Sequence, residues 1–336
     1  MARYRLTAVL RWLTKAVALA AFASAISTIP TNDAAAQTYP DHVVKIVSPF
    51  APGGSTDVVG RLIAQQLSIR LGQPVILESR PGAGGNIGAR AVIRARPDGY
   101  TLLLATTGVL SINPTLYRNL DFSAPRDLVP ISKLFDIGHV VVVNPGVPAR
   151  NLQALIDLAR KNPDKLTYAS GGNGSSTHLF GELFKQTAKV SLRHIPYRGN
   201  GPAMNDVLAG NVQIMFDQNV SASQYVHAGT LRVLAVTTQE RSKLLPDVPT
   251  TAEAGLPDFA GTSWGALMAP RGTPVEIVAR LNREVIAILQ DPNVRKAFDA
   301  IGADPGSSTP DELETLIDHD LQRWKKVIET AGIYLD

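Results

Sequence analysis

The chain has 336 residues, a formal net charge of +4 and no cysteine. The absence of thiols excludes disulfides, thiolate metal sites and a cysteine nucleophile together. The length suggests two domains once a leader is removed, enough for a core that needs no cross-links.

The leader is legible first. Arg3, Arg5, Arg11 and Lys15 precede any acidic residue, an apolar run follows from Ala16 to Ile26, and Ala34-Ala35-Ala36 precede Gln37. Basic, apolar and small-residue regions in that order predict a secretory signal peptide over residues 1–36, cleaved near Ala36, and hence a periplasmic protein. The apolar run is shorter than the roughly 20 residues a spanning helix needs; an uncleaved anchor is the alternative. No Arg-Arg pair points to twin-arginine export. The leader also carries most of the excess charge. Of 33 basic and 29 acidic residues it holds four and one, which leaves 29 and 28. A mature charge near neutrality offers no electrostatic footprint for nucleic acid or a membrane surface.

Beyond the leader, short β-branched runs alternate with amphipathic segments. Strands are expected at Val43–Ser48, Val75–Glu78, Tyr100–Ala105, His139–Val143, Leu166–Ala169, Ser191–Pro196, Val212–Phe216, Leu231–Thr237 and Gly265–Met268. Most are continuous apolar runs, the pattern of parallel strands buried on both faces. Helices are expected between them at Asp57–Leu71, Asn86–Ala95, Leu152–Lys161, Thr177–Ala188 and Pro202–Ala209. The order is that of an α/β architecture. Two longer helical patterns, Pro274–Leu289 and Asp311–Thr330, close the chain and are expected to pack back on the first domain.

Three Gly-rich strand-to-helix loops carry the chemistry. The first contains Phe50, Ala51, Gly53, Gly54, Ser55, Thr56 and Asp57. Its glycines let the backbone approach a ligand, and its hydroxyls or Asp57 can cap a helix whose free N–H groups attract an anion. An ordinary Gly-rich turn with a good cap is the bland alternative. The second holds Gly82, Gly84, Gly85 and Asn86, with Ile87 where a dinucleotide fingerprint requires its third glycine. The third runs through Ser170, Gly174, Ser175, Thr177 and His178. Ligands of open α/β sheets bind at the carboxyl ends of strands, so loops from both halves can face one cleft.

Other features are weaker. Gly261-Thr262-Ser263-Trp264-Gly265 fits the nucleophile pattern of a secreted serine hydrolase, yet it precedes a strand-like run rather than a helix. The six histidines, His42, His139, His178, His194, His227 and His319, are scattered without metal-ligand spacing. His178, at a helix start, reads as a ligand donor or a brace. Arg198 reads as a carboxylate clamp or a solvated loop charge.

Six motifs in order resemble the Bug-type (TctC-like) solute receptors of tripartite tricarboxylate transport systems, over Tyr39 to Asp336. They are Pro49–Asp57, Arg80–Asn86, Pro97–Leu102, Gly174–Leu179, Pro196–Gly199 and Leu245–Thr250. The resemblance implies an α/β, two-domain periplasmic-binding-protein (Venus flytrap) fold, each domain a mostly parallel sheet flanked by helices. Domain 1 would be discontinuous, residues 37–139 plus 262–336, and domain 2 would be 140–261. The implied function is capture of a small carboxylate, a di- or tricarboxylate, amino acid or aromatic acid, for membrane permease subunits. A receptor feeding a sensor is the other outlet. No catalysis, cofactor or metal is implied, and the chain is read as a monomer. Carried over by motif, the ligand contacts are the Phe50–Asp57 loop, Gly84, Gly85 and Asn86, Thr106 and Thr107, and the Ser170–His178 loop. Asp217 ends a strand where relatives commonly carry Asp, and Arg198 stands where they often carry Lys. Asn219 and Val220 lie where relatives vary.

Overall fold

Strand and helix alternate through the first half of the chain as the apolar pattern requires. A computed structural model describes residues 39–52 and 55–336, without the side chain of Ser55. The expected signal peptide and the Gly53-Gly54 pair lie outside the described residues. The chain divides into Met1–Asp41 and His42–Asp336, and the second unit holds every described element.

In chain order these are β1 (Val44–Ser48), α1 (Ser55–Leu71), β2 (Val75–Ser79), a 3-10 turn (Ala83–Gly85), α2 (Asn86–Ile93), β3 (Thr101–Thr106), a π-helical turn (Gly108–Ile112), α3 (Asn113–Leu116), α4 (Ala124–Asp127) and β4 (Leu128–Val143). There follow α5 (Leu152–Lys161), β5 (Thr167–Ser170), α6 (Ser176–Ala188), β6 (Arg193–Pro196), α7 (Asn200–Leu208), β7 (Ile214–Gln218), α8 (Asn219–His227) and β8 (Arg232–Val236). The chain ends with β9 (Thr262–Pro270), α9 (Val275–Gln290), α10 (Pro292–Ile301), β10 (Asp304–Pro305) and α11 (Pro310–Ala331).

The strands form one sheet in the order β2-β1-β3-β9-β4-β7-β5-β6, with β8 and β10 also on β4. The wings are parallel, β1 with β2 and β3, and β5 with β6 and β7. Every pair made by β4 or β9 is antiparallel. The parallel reading therefore holds for the wings, where each strand is followed by a crossover helix.

β4 is the joint. Leu128–Gly138 pairs with β9, and His139–Val143 pairs with β7 and β8. Only its second part reads as a strand in sequence. Pro130, Ser132, Lys133 and Asp136 break the apolar run, and the ladder shifts register at Pro130/Ser132 and Lys133/Phe135. Such irregularities let one extended strand bend from one half-sheet into the other. Four helices are absent from the sequence reading, the single turns α3 and α4 and the longer α8 and α10; the Asn- and Ser-rich Asn219–His227 has weak intrinsic helix preference.

The tail helix ties the halves together. Leu313 and Ile317 of α11 lie in the core of the first half, with Val47, Leu103 and Trp264. Trp324, Val327 and Ile328 lie in the core of the second, against Phe180, Phe184 and Phe259. Its start carries a full capping box, Thr309 with Glu312, and Gly332 closes it in the left-handed conformation. Thus α11 does not pack on the first half alone.

Candidate ligand-binding cleft

The carboxyl ends of β1, β2, β3, β5 and β7 open on one cavity of about 550 Å³. This is where an open α/β sheet presents its ligand site. The floor comes from the joint strands: Phe135 and Ile137 of β4, Ser263 and Trp264 of β9. One wall is built from the first half by Phe50, Thr56, Gly84, Thr106, Thr107 and Asn113. The opposite wall belongs to the second half, with Asn173, Gly174, Ser175, Ser176, Asn200 and Gln218. Ile112, Leu116, Tyr117 and Leu335 complete an apolar edge. Among the described lining residues none carries a charge.

Of the sequence-derived candidates, Phe50, Thr56, Gly84, Thr106, Thr107, Gly174 and Ser175 line the cleft. The Gly84 loop is held by a residue the sequence reading missed. Asn113 donates through Nδ2 to the Gly84 carbonyl at 3.0 Å and to Asn86 Oδ1 at 2.6 Å. Asn86 is buried and acts behind the wall. Gly84 takes φ 62°, and a Cβ there would meet the Tyr117 hydroxyl at 2.8 Å, so any other residue would be strained and would displace Tyr117. Gly85 is buried one residue further on. Thr107 is also committed: its hydroxyl accepts from Trp264 N at 2.8 Å and donates to Trp264 O at 3.2 Å, fastening the wall to the floor.

The second wall is a capped helix start. Ser175 Oγ accepts from His178 N at 3.3 Å and donates to the Gly172 carbonyl at 2.7 Å. The first-turn amides of Ser176 and Thr177 have no intrahelical acceptor and carry the positive end of α6. Thr177 is buried; its hydroxyl accepts from Gly171 N at 2.9 Å and donates to Asn200 Oδ1 at 3.3 Å. Asn200 is thereby aimed at the cleft, and its amide donates to Asp217 Oδ1 at 3.2 Å. Asp217 is buried, accepts from the Ser221 hydroxyl at 2.5 Å, and has its pKa pushed up to about 6 by burial. It stands behind Asn200 and outside the lining.

His178 is a brace. Its Nδ1 accepts from Gly174 N at 3.0 Å, and its ring stacks on His194 at 3.8 Å. The fold thus pairs two histidines that are scattered in sequence. His194 Nε2 sits 2.6 Å from Ser170 Oγ, which also bonds Gly172 N. Burial lowers both imidazoles to about 4, so they are neutral at pH 7 and Nδ1 of His178 stays an acceptor. Ser170 therefore shapes the loop from below.

The remaining candidates lie elsewhere. Ala51 is exposed and does not line the cavity. Asp57 is buried and paired with Arg61 at 3.0 Å. Arg198 is exposed and outside the lining, and among the described residues it has no ion-pair partner. Asn219 is buried and, with Val220, lies outside the cleft lining. Ser263 does line the cleft, but it stands within β9 rather than on a strand-turn-helix elbow, and no histidine lines the cavity. Among the described residues no group of His, Asp or Glu is arranged to hold a metal, and no helix is long and apolar enough to cross a membrane. Asn113, Asn200 and Gln218 carried no motif; Asn200 directly follows the Pro196–Gly199 motif, which was the available signal.

Known proteins are similar to this chain in sequence and fold. BugT of Bordetella pertussis is 39% identical over 301 residues, covering 89% of this chain and 92% of BugT. Among solved structures, R. palustris Rpa4515 with adipate superposes with a TM-score of 0.78 at 36% identity, covering 88% of this chain and 99% of that one. MatC from Rhodopseudomonas palustris with bound malate gives 0.74 at 34% identity, covering 86% and 100%. The periplasmic binding protein BugD gives 0.74 at 35%, covering 88% and 99%. The sequence profile of the tripartite tricarboxylate transporter family receptor matches residues 59–333, and the chain belongs to that family.

Proposed function

We propose that this chain is a non-catalytic periplasmic receptor that captures a small carboxylate in its cleft and delivers it to membrane permease subunits. The observation that carries this reading is a cavity lined, among the described residues, by no charged side chain, with the helix-start residues Thr56 and Ser176 of the two halves in its lining. Oriented amides and hydroxyls stabilise a carboxylate without a fixed counter-ion. The adipate and malate bound by two relatives are carboxylates of fitting size. Residues 37–139 plus 262–336 and residues 140–261 act as two domains, hinged where β4 changes partners between Gly138 and His139. Export follows from the basic–apolar–small leader, removed near Ala36, and the mature chain works as a monomer.

The test is a thermal-shift screen of carboxylates on the mature protein. A ligand at 100 times its Kd is expected to add about 2.7 kcal/mol. A protein stabilised by a sugar or a metal ion and by no carboxylate would refute the reading. Ester turnover abolished by Ser263→Ala would refute its non-catalytic part.

A further inference from the structure

We infer that a second ligand site lies behind the joint strands, on the face opposite the cleft, and that it takes a small zwitterion carrying one ammonium and one carboxylate.

The strands that floor the cleft have another side. Successive side chains of a strand point to opposite faces. Phe135 and Ile137 face the cleft, and Asp136 between them lines a separate cavity of about 660 Å³. There Asp136 accepts from the Thr262 hydroxyl at 2.9 Å and pairs with Lys133 at 2.6 Å. Residues 237–243 after β8, Asp304 of β10 and Arg323 of α11 enclose the rest. No described residue lines both cavities, so the floor strands stand between them.

Arg323 is the positive pole. Its Nη2 donates to the Ala260 carbonyl, and a Cβ on Gly261 would meet Nη1 at 2.7 Å. Burial holds its pKa below the usual guanidinium value, and Asp320 opposes this only through space. Asp320 itself accepts from Trp264 Nε1 at 2.7 Å. The other cations of the lining are committed: Lys133 to Asp136, Arg241 to Glu253 at 2.9 Å and Lys243 to Asp299 at 2.7 Å. Arg323 alone therefore offers uncommitted N–H groups to a carboxylate.

The negative pole lies in a recess lined by Asn219, which shares Ser242, Lys243 and Asp304 with the larger cavity. Asn219 is only 4% exposed. Its amide donates to Ser242 Oγ at 3.2 Å, and among the described residues its Oδ1 has no partner. A buried acceptor left unmet costs free energy that a donor entering the recess recovers. Asp304 adds the charge. Burial raises its pKa, and Asp136, Asp299 and Glu240 push the same way against the pull of Lys243. An ammonium satisfies both the orphaned oxygen and this excess of carboxylates. A bare anion would suit Arg323 and meet these acids; a bare amine would leave Arg323 unmatched. A zwitterion answers both poles.

Isothermal titration of the mature protein with L-alanine and 5-aminovalerate, whose poles are adjacent and separated respectively, tests the inference. Valerate and pentylamine, each lacking one pole, are titrated beside them. At least one zwitterion is expected to bind, and to weaken about tenfold in both Arg323→Gln and Asp304→Asn. Valerate and pentylamine are expected to bind this site at least about tenfold more weakly, read as the part of their binding that the two substitutions remove. Asp304→Asn, on the short edge strand β10, carries the test if Arg323→Gln lowers the melting temperature. No binding of either zwitterion up to about 10 mM overturns the inference. Zwitterion binding that both variants retain overturns it too, as does valerate or pentylamine binding as tightly and with the same sensitivity. None of these outcomes bears on what the cleft captures.

Discussion

Side chains that hold the loops decide much of the cleft's shape. Asn113 holds the Gly84 loop by two bonds, one to a buried amide oxygen. Asn113→Ala leaves Asn86 Oδ1 without its donor, which costs about 1–3 kcal/mol; a fall in melting temperature and a roughly tenfold weaker ligand Kd are expected, read by calorimetry and titration. The histidines behave differently. His139 is held to about 3, and His178 and His194 to about 4, all by burial. The unfolded chain therefore takes up protons first as pH falls. Their contribution is complete above about pH 6.5 and is lost as pH drops toward 4. Asp217, raised to about 6, works the other way, destabilising as pH rises from about 4 through 6. Asp304, also raised by burial, acts in the same direction as Asp217; three imidazoles outweigh these two acids, so urea melts should show stability falling between pH 6.5 and 4.5. In His178→Gln the slope should shrink by about one proton, near 1.4 kcal/mol per pH unit.

At the scale of elements, β4 and α11 are the pieces shared by both halves. The indole N–H of Trp264, on the cleft floor, ends on Asp320 of α11. Asp320→Ala strands a buried donor and is expected to cost about 1–3 kcal/mol, whereas Asp320→Asn, which keeps an acceptor, should cost less. Denaturant midpoints of the two variants check this. An equal loss would mean that the bond contributes nothing and that the packing around residue 320 matters instead. The ends of α11 were legible to within a residue, Asp311–Thr330 against Pro310–Ala331, because proline at the start and Gly332 after the end act by local chemistry. Its division between two cores was not legible, since one apolar stripe serves two partners along its length.

At the scale of the whole molecule, the proposed receptor works by closure. The ligand must bridge two walls that belong to different halves, and it favours whichever arrangement brings both within reach. Small-angle scattering of the mature protein is expected to show a smaller radius of gyration with a bound carboxylate than without; an unchanged value would remove the hinge from the proposal. Sequence alone determined the α/β class and the three Gly-rich loops with their helix starts, and the proposed export leader rests on sequence alone. These rest on local patterns: period, capping and backbone freedom. It pointed to Phe50, Thr56, Gly84, Thr106, Thr107, Gly174 and Ser175, all of which line the cleft. Only the tertiary structure decided that Asp217 and His178 stand behind the lining, that Arg198 is exposed outside it, and that Asn113, Trp264 and Leu335 come to the cavity from distant parts of the chain. The reason is that a cleft between two half-sheets is made by strand order and by one strand changing partners, and neither leaves a periodic trace in the sequence.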